Sequence, residues 1–182
     1  MSASLEAARK FVTVLEKTQY YPPDRMQTYQ RRLLQPLLHH ARREVPFYAT
    51  RLDPLFAPDG SIRWDAWADI PTFTRADAQQ ADDALFAKSY PEQMGNFSEG
   101  QTSGSTGTPL KFRTTGMAQL MATATSQRIF DWHAIDYSAK MAIIADTRGR
   151  FPASDGAPGQ QWNITKPEAP ACQLSLTETI EN

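Results

Sequence analysis

The sequence predicts an α/β protein: an N-terminal helical region over residues 1–90, then, over 91–182, part of a layered α/β domain that is incomplete at its C-terminal end. Three observations carry this expectation. Apolar residues recur at helical spacing through the N-terminal segment. Two strand-like segments then frame a turn rich in glycine and hydroxyl residues, Thr102 to Pro109. Beyond it, a long helical pattern runs into the compact apolar run Ala139-Lys140-Met141-Ala142-Ile143-Ile144-Ala145-Asp146. A buried strand that follows a helix finds its natural place in a parallel sheet.

Each element has its own signal. Leu5, Ala8, Val12 and Leu15 space a first amphipathic helix over 4–18. Pro22-Pro23-Asp24 breaks it and opens a second helix, with Met26, Tyr29, Leu33, Leu37 and Ala41 as its apolar stripe. Pro36 inside that helix predicts a kink or a split, and Val45-Pro46 ends it. Residues 52–63, with Pro54, Pro58, Asp59 and Gly60, read as a turn-rich connection. Trp64 and Trp67 add an apolar patch expected in the core. Thr74 with Asp77 forms an acidic capping box that opens a helix to about Ala87.

Further along, Phe97–Gln101 and Leu110–Thr114 read as two strands of a hairpin. Thr114 or Thr115 can cap a helix from about Met117 to Trp132. Its buried face is expected at Leu120, Ala124, Gln127 and Ile129. Residues 147–170 read as an exposed loop, and a last strand is expected near Cys172–Leu176.

Composition narrows the class. A chain of 182 residues, 41% hydrophobic and with four tryptophans, suits a globular fold. Its net charge of −1 offers no global attraction for nucleic acid or a membrane surface. The pairs Arg31-Arg32 and Arg42-Arg43 read as solvated helix faces. One cysteine, Cys172, cannot form an internal disulfide, and no signal-like or membrane-spanning run is visible, so a cytoplasmic location is expected. His39-His40 has no ligand cluster at metal spacing, so no metal site is assigned.

The turn carries the chemistry. Thr102-Ser103-Gly104-Ser105-Thr106-Gly107-Thr108-Pro109 places two glycines and five hydroxyls in eight positions. Glycine lets backbone amides approach an anion, successive amides form an anion-binding concavity, and hydroxyls add donors and metal acceptors. Other motifs fall away on position. Gly107 is followed by Thr108-Pro109, where a Walker loop needs Lys-Ser or Lys-Thr. Gly104 and Gly107 lack the leading pair of a dinucleotide fingerprint. Ser105 has Ser103 rather than glycine before it, which half meets a nucleophile elbow and keeps a hydrolase as a third reading.

Thr102–Pro109 resembles the phosphate-binding loop of the adenylate-forming superfamily, the group of acyl- and aryl-CoA ligases, luciferases and nonribosomal adenylation domains. Most members carry lysine after the proline. Leu110 is closer to the phenylacetate–CoA ligase and capsular-biosynthesis-protein branch. Tyr29–Leu34 running to His40-Ala41-Arg42-Arg43-Glu44-Val45-Pro46-Phe47-Tyr48 resembles that branch's opening helix and following turn, and Ile70–Asp77 its next segment. The resemblance covers roughly residues 25–145. It implies that Thr102, Ser103, Gly104, Ser105, Thr106, Gly107 and Thr108 contact the phosphates of ATP, with Mg2+ beside them. It implies a carboxylate substrate activated as an acyl-adenylate and passed on, in this branch, to CoA. It places His133 near the acyl pocket.

The aromatic-Gly-x-Thr-Glu segment, the ribose-binding aspartate and the C-terminal lysine of the family are not found in these 182 residues. The expectation is therefore an N-terminal portion of such a ligase, inactive alone. The alternative is a non-catalytic nucleotide-binding or scaffold fragment.

Overall fold

A computed structural model describes residues 3–102, 109–145, 157–158 and 162–175. It is a mixed fold of helices and two small sheets. The chain divides into two compact units: Met1–Gln19 with Leu120–Asn182, and Tyr20–Gln119.

In the second unit, helix α2 (Pro23–Glu44) starts with proline in its first turn, where the missing N–H costs nothing, and stops at Val45 before Pro46. Pro36 stays inside one continuous helix, so the expected split does not occur. The buried stripe keeps Ala41, as expected, but not Leu33 and Leu37. Leu38 is buried and Leu34 and Ala41 pack beside it, while Leu33 and Leu37 are exposed. Leu33-Leu34 and Leu37-Leu38 are adjacent pairs, so the helical period fits either stripe. The choice falls to the partners Leu52, Leu55, Phe56 and Ala66, which form the core of this unit.

Helix α3 (Tyr48–Arg51) and a 3-10 turn, Asp53–Leu55, bring those partners round, and a bridge between Phe56 and Ile62 closes the connection. Trp64–Asp69 is a 3-10 turn whose two tryptophan rings stack 6.3 Å apart. Trp64 is half-buried, but Trp67 is exposed rather than core.

Helix α4 (Arg75–Ala81) opens on the expected capping box. The Asp77 amide donates to the Thr74 hydroxyl and the Thr74 amide to the Asp77 carboxylate. It ends six residues earlier than the expected Ala87. Asp82 takes φ +41°, and the chain continues as a 3-10 turn over Asp82–Leu85. A non-glycine residue with positive φ cannot continue a right-handed helix. The following segment is tied to the end of α2, where the Phe47 amide donates to the Ala84 carbonyl and the Lys88 amide to the Glu44 carbonyl.

Strands β1 (Phe97–Gln101) and β2 (Lys111–Thr115) pair antiparallel, from Phe97↔Thr115 to Gln101↔Lys111. Thr115 then caps helix α5 (Gly116–Trp132), its hydroxyl accepting from the Ala118 amide.

The first unit is built on α1 (Ala3–Thr18) and the rest of α5. Ala8 and Val12 meet Ala124 and Ile164 in its core. On α5, Ala124 and Gln127 are buried as expected, but Ile129 and Trp132 are exposed. Strands β3 (Met141–Ala145) and β5 (Ala171–Ser175) pair in parallel, the arrangement expected for a strand that follows a helix, with β4 (Ala157–Pro158) antiparallel on the other side of β5. The expected exposed loop over 147–170 is corrected at Asn163 and Ile164, which are buried. The Ile164 amide donates to the Gln127 side chain, and Arg9 donates to the Ile164 carbonyl. Those bonds let polar backbone enter the core.

Candidate functional site

The site is built from the hairpin upward. Beyond the last ladder pair, Gln101↔Lys111, the two strands are joined by one more pair of bonds. The Thr102 amide donates to the Leu110 carbonyl (2.9 Å), and the Leu110 amide donates to the Thr102 hydroxyl oxygen (3.0 Å). This neck fixes where the polar loop leaves and rejoins the sheet. Ser103, Gly104, Ser105, Thr106, Gly107 and Thr108 lie outside the described residues. Thr102 uses its oxygen to close the neck and keeps its hydroxyl proton to donate.

Gly100 and Phe112 form the next inward pair on this hairpin. A Cβ on Gly100 would come within 2.6 Å of the Phe112 ring, so the bare glycine lets that ring lie across the strand. Phe112 borders a cleft of about 490 Å3 beside the neck. Thr102, Pro109, Leu110 and Lys111 line its hairpin side, and Phe73, Ala78, Gln79, Asp82 and Leu85 line its helical side. The cleft is mostly apolar, with a few polar groups at one edge, which is the usual make-up of a small-molecule site.

The charged edge is Lys111 with two aspartates. Its ammonium lies 3.2 Å from the Asp82 carboxylate and 4.0 Å from Asp83. The hydrogen bond that Lys111 donates to Asp82, then the charges of Asp82 and Asp83, push the Lys111 pKa above its usual value. Arg113, two residues on, pairs with Glu99 at 2.8 Å and stacks on Phe86 and Phe97. Both cations are thus paired with carboxylates, Lys111 from an exposed position.

The other sequence candidates are not among the residues that line this cleft. His39 packs edge-on against Phe56. His133 is exposed just past the end of α5, in the first unit. Cys172 is half-buried in β5. Among the described residues no group of His, Cys, Asp and Glu could hold a metal ion, and no helix is long and apolar enough to cross a membrane. A shallower hollow of about 330 Å3 lies between α2 and the Trp64–Trp67 pair.

The chain matches no family model, no curated protein and no solved structure. The functional reading therefore rests on the resemblance of Thr102–Pro109 and on the geometry of the neck and cleft. Sequence reasoning missed Asp82, Asp83, Phe73 and Phe112 as parts of it. Only the Asp82-Asp83 doublet is a local signal, and nothing in a linear reading sets it opposite Lys111.

Proposed function

We propose that these residues carry the phosphate-binding part of an ATP-dependent ligase that activates a carboxylate. In that reaction a carboxylate oxygen bonds to the α-phosphorus of ATP, the bond to the β-phosphate oxygen breaks, and pyrophosphate leaves. An acceptor thiol such as that of CoA then bonds to the acyl carbon, the bond from that carbon to the phosphate oxygen breaks, and AMP leaves. The work of the loop is to neutralise charge on the departing pyrophosphate, which is the main demand of such chemistry. ATP enters as its magnesium complex, and magnesium takes much of its shell from phosphate oxygens and water, needing few protein ligands. The loop hydroxyls of Ser105 and Thr106 suit that supplementary role.

The observation that supports this reading most is the hydrogen-bonded neck at Thr102 and Leu110. The neck borders a cleft, and in the sequence the residues between its two ends are glycines and hydroxyl residues followed by Pro109. A flexible linker has no reason to be pinned at both ends. The second reading is a nucleotide-binding or scaffold module without chemistry of its own.

Titration calorimetry with magnesium-ATP and with magnesium pyrophosphate tests the site. Both are expected to bind, and Thr106→Ala is expected to weaken binding by roughly tenfold, the worth of one hydrogen bond to a charged group. Failure of the native chain to bind either ligand would remove both nucleotide readings and leave a scaffold. Exchange of labelled pyrophosphate into ATP is expected to be absent, and robust exchange would show that the missing family segments are dispensable.

A further inference from the structure

We propose that the hollow between α2 and the Trp64–Trp67 pair binds a proline-rich peptide in the polyproline II conformation, with an acidic residue of that peptide beside Arg31. The inference stands independently of the phosphate-loop reading. Every residue it uses lies in α2 or in the turn Trp64–Asp69, within one unit.

The tryptophan wall comes first. Side chains three positions apart eclipse one another in a 3-10 turn. Trp64 and Trp67 have that spacing in such a turn, which sets their rings 22° from parallel with centroids 6.3 Å apart. Trp64 is half-buried, and Trp67 stays 47% exposed. A purely structural pair would bury both rings, since an indole carries a large apolar area.

The facing wall comes from α2. Gln27, Gln30, Arg31 and Leu34 stand at i, i+3, i+4 and i+7, so they share one helix face, and they line the hollow of about 330 Å3 with the two indoles. The Arg31 guanidinium lies 5.5 Å from the centre of the Trp64 ring, a contact that holds the charge at the wall. Among the described residues, Arg31 has no carboxylate partner. The side chains of Gln27 and Gln30 and both indole N–H groups likewise have no hydrogen-bond partner there.

The chemistry of this lining selects the occupant. Indole and guanidinium groups only donate, and each carboxamide offers two N–H bonds against one oxygen. The hollow therefore suits a ligand that is rich in acceptors, poor in donors and partly apolar. Sugar hydroxyls donate as well as accept, and no Asp or Glu is among the lining residues to receive them. A nucleic-acid strand asks for a positively charged groove along its backbone, and Arg31 is the single cation among the lining residues. A polyproline II segment meets all three demands. Its prolines have no N–H, its carbonyls make no internal hydrogen bonds and face outward, and its rings are apolar. Aromatic-lined grooves are a recurring receptor for such segments, whose preformed conformation lowers the entropy lost on binding. One turn is about 9 Å long, enough to cross both indoles. The Arg31 fork then favours a carboxylate in the peptide, because charge-assisted bonds are the stronger ones.

The test is titration of the full 182-residue chain with an acetylated, amidated peptide of eight prolines and two glutamates, followed through the indole Nε1–H signals in NMR spectra. Saturable binding with a Kd below about 1 mM is expected, with shifts confined to the Trp64 and Trp67 signals and those of Trp132 and Trp162 unmoved. Trp67→Ala is expected to weaken binding at least tenfold, as for a tryptophan at the centre of a contact. Its unchanged amide spectrum elsewhere would show that the fold is kept. Arg31→Gln is expected to weaken the acidic peptide about two- to fivefold and to leave a ten-proline peptide unaffected. Equal weakening of both peptides would overturn the role of Arg31. No binding of the acidic peptide, or shifts only at Trp132 and Trp162, would overturn the site. Tighter binding of cellohexaose or of an eight-nucleotide thymidine strand at Trp64 and Trp67 would replace the peptide with that class of ligand and so overturn the proposal.

Discussion

Thr74 and Asp77 show how much a few residues settle when their partners are close in sequence. The capping box was legible because both bonds span three positions. The Thr74 amide, then its hydroxyl, hold the Asp77 carboxyl below its usual value, and Arg51 adds charge attraction. The folded pKa therefore lies below the unfolded value of about 3.9. Stability from this group is complete above that value and is lost as pH falls through the folded one. Urea unfolding followed from about pH 6 down to about pH 2 should show this decline, and Asp77→Asn should flatten it. An unchanged slope in the variant would assign the acid sensitivity elsewhere. Asp82 is the opposite case. Nothing local in Gln-Ala-Asp-Asp-Ala announces a positive φ or a lysine twenty-nine residues away.

Helices and strands were legible wherever their period had one solution. The hairpin alternation and the Thr115 cap of α5 are local patterns, and both formed as expected. The stripe of α2 had two solutions, and its contacts chose Leu38 over Leu37. Leu38→Ala is accordingly expected to cost about 2–5 kcal/mol, since it opens a cavity against Leu52, Leu55 and Phe56. Leu37→Ala should change stability by less than about 0.5 kcal/mol. Denaturant midpoints of the two variants decide this, and equal losses would mean that both leucines are buried in solution. The early stop of α4 was illegible for a similar reason: no glycine or proline marks it, and the turn that ends it is tied to the end of α2 through Ala84.

The molecule as a whole depends on side chains that satisfy distant backbone. Gln127 is buried, accepts from the Ile164 amide, and donates to Thr165 and Asp131. Gln127→Ala leaves a buried N–H without its partner, which costs about 1–3 kcal/mol. Hydrogen exchange should show faster exchange at Ile164 in this variant, while amides around Leu52 and Leu55 keep their protection. A uniform loss across both units would show that they unfold together. From the order of residues alone came the mixed helix and sheet character, most element positions and the capping box, since each depends on neighbours within about two helical turns. The tertiary structure supplied the burial of Ile164, the exposure of Trp67 and Trp132, the true stripe of α2 and the meeting of Lys111 with Asp82. These depend on which surfaces pack together, and burial and charge pairing act through space between residues that lie far apart along the chain.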